Sequence, residues 1–417
     1  MRIYFKNLGT LSIGKVDLKP LTVFLGNCDE RKFFITVLYS IFSKLEKLPE
    51  RDINFIVENA VRSIWNLKNY KHIIEKLFNI SDKDLKLLIK EIRRNTVNYI
   101  KGDLSNLKGT LNFQGDLKFN NFSLQDIVFS DDTEEDLALI KEKLREAIRE
   151  YEKKKIALIN LYSNPFNELF KYSVLRKVPK PIYIPSSRNG LVLGADYIIP
   201  NIFSKFRKVD LEFSKADIEF LEKLYLIKTA KLSGEKTFNK KIKKILDFLE
   251  ERLLKGEFVE KNFVNRYKTF LFKDREDFLY PLHLIKSSIL SLFPIYAILK
   301  FLNHTDNNLI IFFEEPEVHL SVDEQFELAK FLSLASNLGF AFVITTNSDY
   351  ILYEFGNLLN INSMEPLIKT NYLIEKNLDM FKECVLSKEN LLIYNFNCLN
   401  SSFTLEEKSI KDFIPSS

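Results

Sequence analysis

The stretch Leu309-Ile-Ile-Phe-Phe-Glu314-Glu315-Pro316-Glu317-Val-His319-Leu320 decides how this chain is read. A run of apolar residues ending in paired carboxylates predicts a buried parallel strand. Such a strand delivers two acids to its carboxyl end, the edge where open α/β sheets bind ligands. A second run, Ala341-Phe-Val-Ile-Thr345-Thr346-Asn347-Ser348, predicts a neighbouring strand that offers short polar side chains at the same edge. A plain apolar strand with a solvated acidic loop would account for the first run alone. The Glu-Glu-Pro-Glu-x-His-Leu pattern, with the second run following it, favours the ligand-binding edge over that reading.

Together the two runs resemble the Walker B and switch strands of the ABC-type ATPases of the SMC, RecF and overcoming-lysogenization-defect group. The resemblance implies an α/β fold: a P-loop NTPase head of the ABC-ATPase type, with a mixed sheet and helical insertions. In active relatives Glu314 would hold Mg²⁺ and Glu315 would polarise the attacking water, which makes Glu315 the candidate catalytic residue. Asn347 stands where the family has a switch histidine. An amide there can hydrogen-bond a γ-phosphate or water but cannot carry a proton.

Near the amino terminus, Asp17-Leu-Lys-Pro20-Leu-Thr-Val-Phe-Leu-Gly26 resembles the family's opening, and Asn27-Cys28-Asp29-Glu30-Arg31-Lys32-Phe33-Phe34 then departs from it. Set against G-x-x-x-x-G-K-[ST], Gly26 and Lys32 are kept. Arg31 replaces the second glycine, and its side chain enters space that backbone N–H groups need if they are to wrap a phosphate. Phe33 replaces the hydroxyl residue and cannot ligate Mg²⁺. Asp29 and Glu30 add negative charge to a loop that should be positive. The resemblance carries nucleotide contacts onto Gly26, Asn27, Arg31 and Lys32, while these departures predict that ATP and Mg²⁺ are bound weakly or not at all. Two arrangements of the loop fit. Either Lys32, Arg31 and the helix N-terminus still grip a nucleotide, or the loop has closed over Phe33 and Phe34 as a structural turn.

Two further segments resemble the same group. Pro181-Ile-Tyr-Ile-Pro185-Ser186-Ser187-Arg188-Asn189-Gly190 runs a strand into a polar turn and sets Arg188 at a strand end, where it could meet phosphate or carboxylate. Tyr280-Pro-Leu-His-Leu-Ile-Lys286-Ser287-Ser288-Ile289 resembles the ABC signature, with Ser288 as a nucleotide contact across a dimer. The signature glycine is replaced by Ile289, a β-branched residue where backbone should approach phosphate.

The chain has 417 residues, 46% hydrophobic and 28% charged, with a formal net charge of +5. That supports a large core and does not by itself declare a nucleic-acid binder. No stretch has the length of a membrane span and the start lacks a signal-peptide pattern, so the expected location is cytoplasmic with no membrane partner. Cys28, Cys384 and Cys398 form no CxxC pair, and His72, His283, His304 and His319 lack metal-ligand spacing, so no structural zinc is expected. The lysine runs Lys153 to Lys155 and Lys240 to Lys244 read first as solvated helix faces.

The expected organisation is residues 1–45 as the first part of the head, 46–170 as an inserted helical arm with short strands, 171–195 as a return strand, 196–255 as a helical insertion, and 256–417 as the second lobe. Met1 to Ser43 and Asn308 to Gly356 are expected to share one sheet. The charged helix Thr133 to Leu161 is too short for an SMC coiled coil. By the resemblance, the partners are a second head, as a homodimer or as a heterodimer with a related ATPase, and nucleic acid or a nuclease in a maintenance or defence system. A slow Mg-ATP hydrolase and a purely structural docking protein are the alternatives.

Overall fold

The computed structural model describes residues 1–8, 11–26, 30–67, 70–105, 123–154, 165–203, 213–229, 240–262, 268–301, 308–365, 383–399 and 402–409. Its strands are β1 (Arg2–Leu8), β2 (Leu11–Asp17), β3 (Leu21–Leu25), β4 (Ser123–Val128), β5 (Lys180–Ile184), β6 (Gly256–Asn262), β7 (Lys268–Asp274), β8 (Leu279–Pro281), β9 (Leu309–Glu314), β10 (Ala341–Thr346), β11 (Leu391–Leu399) and β12 (Ser402–Lys408). The α-helices are α1 (Glu30–Glu46), α2 (Glu50–Trp65), α3 (Tyr70–Phe78), α4 (Asp82–Ser105), α5 (Glu134–Lys154), α6 (Pro165–Ser173), α7 (Arg188–Phe203), α8 (Lys215–Thr229), α9 (Lys240–Phe248), α10 (Ser287–Phe301), α11 (Val322–Asn337) and α12 (Asp349–Ser363). The fold is mixed α/β. It divides into two compact units: Met1–Asp17, Ser40–Thr110 and Gly115–Lys180 form the first, and Leu18–Tyr39, Leu111–Gln114 and Pro181–Ser417 the second.

The first unit differs from the division expected from sequence. β1 and β2 do not join β3; they form a separate antiparallel sheet in the order β2-β1-β4. The physical reason lies in the pairing of β1 with β4. It sets Ile3 opposite Ile127 and Phe5 opposite Leu124, and all four side chains are buried. Helices α2 to α6 supply the rest of this unit. On α2 the buried residues Ile53, Ile56, Val57, Ala60 and Val61 recur at three- and four-residue spacing, as one apolar face of a helix requires. That helix stops at Asn66, a left-handed cap whose N–H bonds the Arg62 carbonyl.

The second unit is built on a six-stranded sheet of order β12-β11-β3-β10-β9-β5, in which β3, β9, β10 and β11 run parallel. β3 and β9 are buried along their whole length, which is why their sequences are nearly continuous apolar runs. Leu21, Val23, Ile311, Phe313, Phe342 and Ile344 enter the core that holds Phe293 of α10, Phe331 of α11 and Phe355 of α12. From the same strands, Phe24 packs edge-on against Phe34 and Phe312 against Tyr39, both on α1. The register pairs Leu25 with Thr346 and Thr345 with Glu314. Three strand ends therefore finish level, and the residues that follow them meet at one edge.

Candidate nucleotide site

At that edge Gly26 follows β3 with φ +125°, and a Cβ there would lie 2.7 Å from the Phe396 carbonyl oxygen. Only glycine fits both constraints. Asn27, with Cys28 and Asp29, lies outside the described residues. α1 then opens with Glu30, Arg31 and Lys32 in its first turn.

The Arg31 side chain is turned into the protein. Its guanidinium donates to the carbonyl of Gly26 at 2.5 Å, the carbonyl of Thr346 at 3.0 Å, Oδ1 of Asn347, and Oε1 of Glu315 at 2.6 Å. Lys32 Nζ lies 3.1 Å from the other Glu315 oxygen. The side chain of Arg31 is 4% exposed and that of Glu315 17%, so the bridge sits in a medium that screens it weakly. Gly26, Arg31, Lys32, Glu315 and Asn347 thus form one connected cluster. Both oxygens of the candidate catalytic carboxylate are taken by cations of the chain itself.

Glu315 also carries backbone strain. Its φ is +39° and that of His319 is +71°, left-handed conformations that cost a non-glycine residue about 1–3 kcal/mol. The Glu315 N–H donates to the Thr345 carbonyl at 3.0 Å and approaches Thr345 Oγ1 at 3.1 Å, which ties the turn to β10.

Glu314 faces the other way. The buried Tyr183 hydroxyl on β5 donates to one of its oxygens, and the Ser186 N–H donates to the other at 3.0 Å. Tyr183 also lies within 3.3 Å of Thr36 Oγ1 on α1. Burial raises the Glu314 carboxyl above its ordinary range, against the bonds from Tyr183 and Ser186 and the charge of Lys32. Burial, then the negative charge of Glu314, holds the Tyr183 hydroxyl protonated. Nearby, Glu317 accepts from the Asn347 N–H at 2.9 Å and is likewise raised by burial.

A carboxyl raised in the folded state contributes stability that is full below its ordinary 4.5 and is lost as pH rises through the folded value. Glu314→Gln has no charge to bury. We expect its melting temperature to gain on wild type as pH rises from 4.5 to neutrality, each 1 kcal/mol appearing as about 2–4 °C. An offset that stays constant across that range would show that Glu314 does not change protonation there.

Arg188 and Ser288 have partners of their own within this chain. Arg188 is fully buried. Its Nε donates to the Ser291 carbonyl at 2.9 Å, and its terminal nitrogens to the carbonyls of Pro185, Glu314, Glu315, Pro316 and Val318 at 3.2–3.4 Å. The guanidinium rests 5.0 Å from the Phe313 ring centroid. It braces the strained acidic turn from behind. Ser288 Oγ donates to Glu324 Oε1 at 3.1 Å, and Glu324 closes the capping box that starts α11.

A Mg²⁺ ion needs oxygen ligands free to close an octahedron. Here Glu314 accepts two hydrogen bonds, Glu315 is held by two cations, and position 33 is a phenylalanine in the core. The residues present do not fit the ion. Sequence reasoning missed Tyr183 and Ser186, although a tyrosine in an otherwise apolar strand just before the Pro-Ser-Ser turn was a usable signal.

No family model matches the chain, and no curated protein matches it. Similar solved structures include an Smc head bound to the C-winged helix domain of ScpA, at 8% identity over 99% of this chain and 98% of that one, with a TM-score of 0.41. Another is an Smc head domain with an extended coiled coil bound to the C-terminal domain of ScpA, from Pyrococcus furiosus, at 10% identity over 99% and 96%, with a TM-score of 0.35. The SMC head domain from Thermotoga maritima matches at 9% identity and a TM-score of 0.24, over 42% of this chain and 49% of that chain. Among the described residues no helix is long and apolar enough to cross a membrane.

Proposed function

We propose that this chain is an ABC-ATPase-like head whose hydrolytic centre is closed from within, and that it works by binding rather than by turnover. The observation that carries this reading is the Arg31 guanidinium, joined at once to the Gly26 carbonyl, the Asn347 side chain and the Glu315 carboxylate. A water-polarising carboxylate must be free to accept a proton or orient water. Glu315 in a double ion pair is not. With Glu314 held by Tyr183 and Ser186, neither acid is open to Mg²⁺, and Arg188 and Ser288 serve the framework of the lobe. Pairing with a second head, in a nucleic-acid maintenance or defence system, is the partner reading that goes with this proposal.

The test is Mg-ATP turnover and calorimetric ATP titration of the wild type and of Glu315→Gln. We expect phosphate release at background in both proteins, and no change in ATP binding between them greater than about threefold, an energy of about 0.6 kcal/mol. Brisk magnesium-dependent release that vanishes in Glu315→Gln would establish the hydrolase instead. Absence of any ATP binding would leave the head as a docking fold.

A further inference from the structure

We propose that a cleft in the second unit, lined by α11, α12 and the turn after β7, is a docking surface for a partner protein, and that it takes a segment carrying an apolar residue flanked by an acid and a base. The cleft encloses about 640 Å³. One wall begins where α9 gives way to a run of π-helix, Leu249–Leu254, which ends at Lys255 in the left-handed region, φ +53°. π turns are rare and occur mostly at functional sites. This one buries Leu249, Leu253 and Leu254 and leaves Glu251, Arg252 and Lys255 beside the cleft. Arg275, from the turn after β7, joins them and donates to the Glu251 carbonyl at 2.8 Å.

The other wall is aromatic. Phe326 of α11 lies 5.9 Å from the Tyr350 ring and 6.4 Å from the Tyr353 ring of α12, and the two tyrosines are 46% and 48% exposed. Val322, about one helical turn before Phe326, is exposed as well. Apolar surface gathered in this way marks an interaction site. Part of the charge is matched within the cleft: Arg252 forks onto Glu327 at 2.9 and 3.0 Å, and Lys330 reaches the same carboxylate at 2.9 Å. The ammonium of Lys255 and the carboxylates of Glu251 and Asp323 make no hydrogen bond or ion pair among the described residues. Arg275 keeps donors free beyond the one on Glu251.

The unpaired charge is therefore of both signs, and this selects the partner. Nucleic acid or an anionic lipid surface would set its negative charge against Glu251 and Asp323, and a polyamine would meet Lys255 and Arg275. A polypeptide supplies both signs and an apolar group within a few residues. Tyrosine, phenylalanine and arginine are also the residues enriched where proteins meet. The surface does not depend on whether the sheet edge takes nucleotide.

Panning a displayed library of random peptides on the full chain, then measuring the enriched peptides by fluorescence anisotropy, tests the proposal. The enriched sequences should share an apolar residue between an acid and a base. Tyr350→Ala with Tyr353→Ala changes only exposed positions, so the protein should melt as wild type does and bind these peptides at least about tenfold more weakly. Lys255→Glu with Arg275→Glu should weaken them similarly, and replacing the acid of the peptide by lysine should restore binding to that variant alone. Such a charge-swap rescue is not expected of an apolar patch that holds any greasy peptide. Lys86→Glu with Lys90→Glu, on exposed positions of α4 in the first unit, should leave binding within about twofold of wild type. The proposal is overturned if no such pattern is enriched, if the tyrosine variant binds the peptides as wild type does, if the swapped peptide gains nothing, or if labelled oligonucleotides or phosphatidylserine vesicles displace the peptides from Lys255 and Arg275.

Discussion

Replacing Arg188 by leucine should cost about 3–5 kcal/mol of stability, the range for removing a buried charge from its partners. The side chain is fully buried and reaches six carbonyl oxygens, four of them in the turn that carries Glu314 to Val318. Each carbonyl left dry would cost about 1–3 kcal/mol, so two of the six suffice for the expected loss. The turn needs this support because Glu315 and His319 both sit at positive φ without being glycine. Burial pulls the guanidinium down to about 10, with Glu317, Glu315 and Glu314 pulling upward, so at neutral pH it stays charged. Arg188→Lys should recover less than half of the loss, since an ammonium cannot fork across two backbone strands. Urea denaturation with hydrogen exchange at Val318 and Leu320 measures both quantities. A loss below about 1 kcal/mol would mean that water replaces the guanidinium and that the turn holds itself.

The same residue shows where sequence reading reaches its limit. The paired strands β9 and β10 were legible because a fully buried parallel strand leaves a continuous apolar run, and because the polar residues ending each run have no reason to lie inside the sheet. Those runs were the ground for expecting Gly26, Lys32, Glu314 and Asn347 at one carboxyl edge. Arg188 was read as able to meet phosphate or a carboxylate because it follows a strand end. Nothing local distinguishes that role from bracing carbonyls, and the choice depends on Ser291 and Val318, residues far away in sequence. β1 and β2 were misplaced for a related reason. Their alternation predicts strands but not partners, and the partner β4 comes from an insertion whose burial against Ile3 and Phe5 is a tertiary fact. Tyr183 was passed over because an aromatic in a strand reads as packing until a buried carboxylate is found against its hydroxyl.

Restoring the phosphate cradle should reopen the edge. In Arg31→Gly with Phe33→Ser, the Asn347 amide and one Glu315 oxygen lose the guanidinium that occupies them, Lys32 is left to hold Glu315 alone, and a hydroxyl returns to the position that ligates Mg²⁺. One charge-assisted hydrogen bond regained by a phosphate is worth about 1.5–3 kcal/mol, so Mg-ATP should bind at least about tenfold more tightly than to the parent. Phe33 is in the core and its truncation costs about 3–5 kcal/mol, so titration must be made on protein shown by its melting curve to be folded. Arg31→Gly alone separates the two effects, since it takes the guanidinium off Asn347 and one Glu315 oxygen without truncating Phe33 beneath α1. If that single variant gains ATP affinity without magnesium dependence, the plug was the obstacle and the missing hydroxyl the second one. If the folded double variant gains nothing, the lock lies deeper, at the Tyr183–Glu314–Ser186 contacts that take the other carboxylate. Adding Tyr183→Phe would then be the change that frees Glu314 for a metal, and failure of all three would leave a lobe that keeps the shape of a nucleotide head solely as a scaffold.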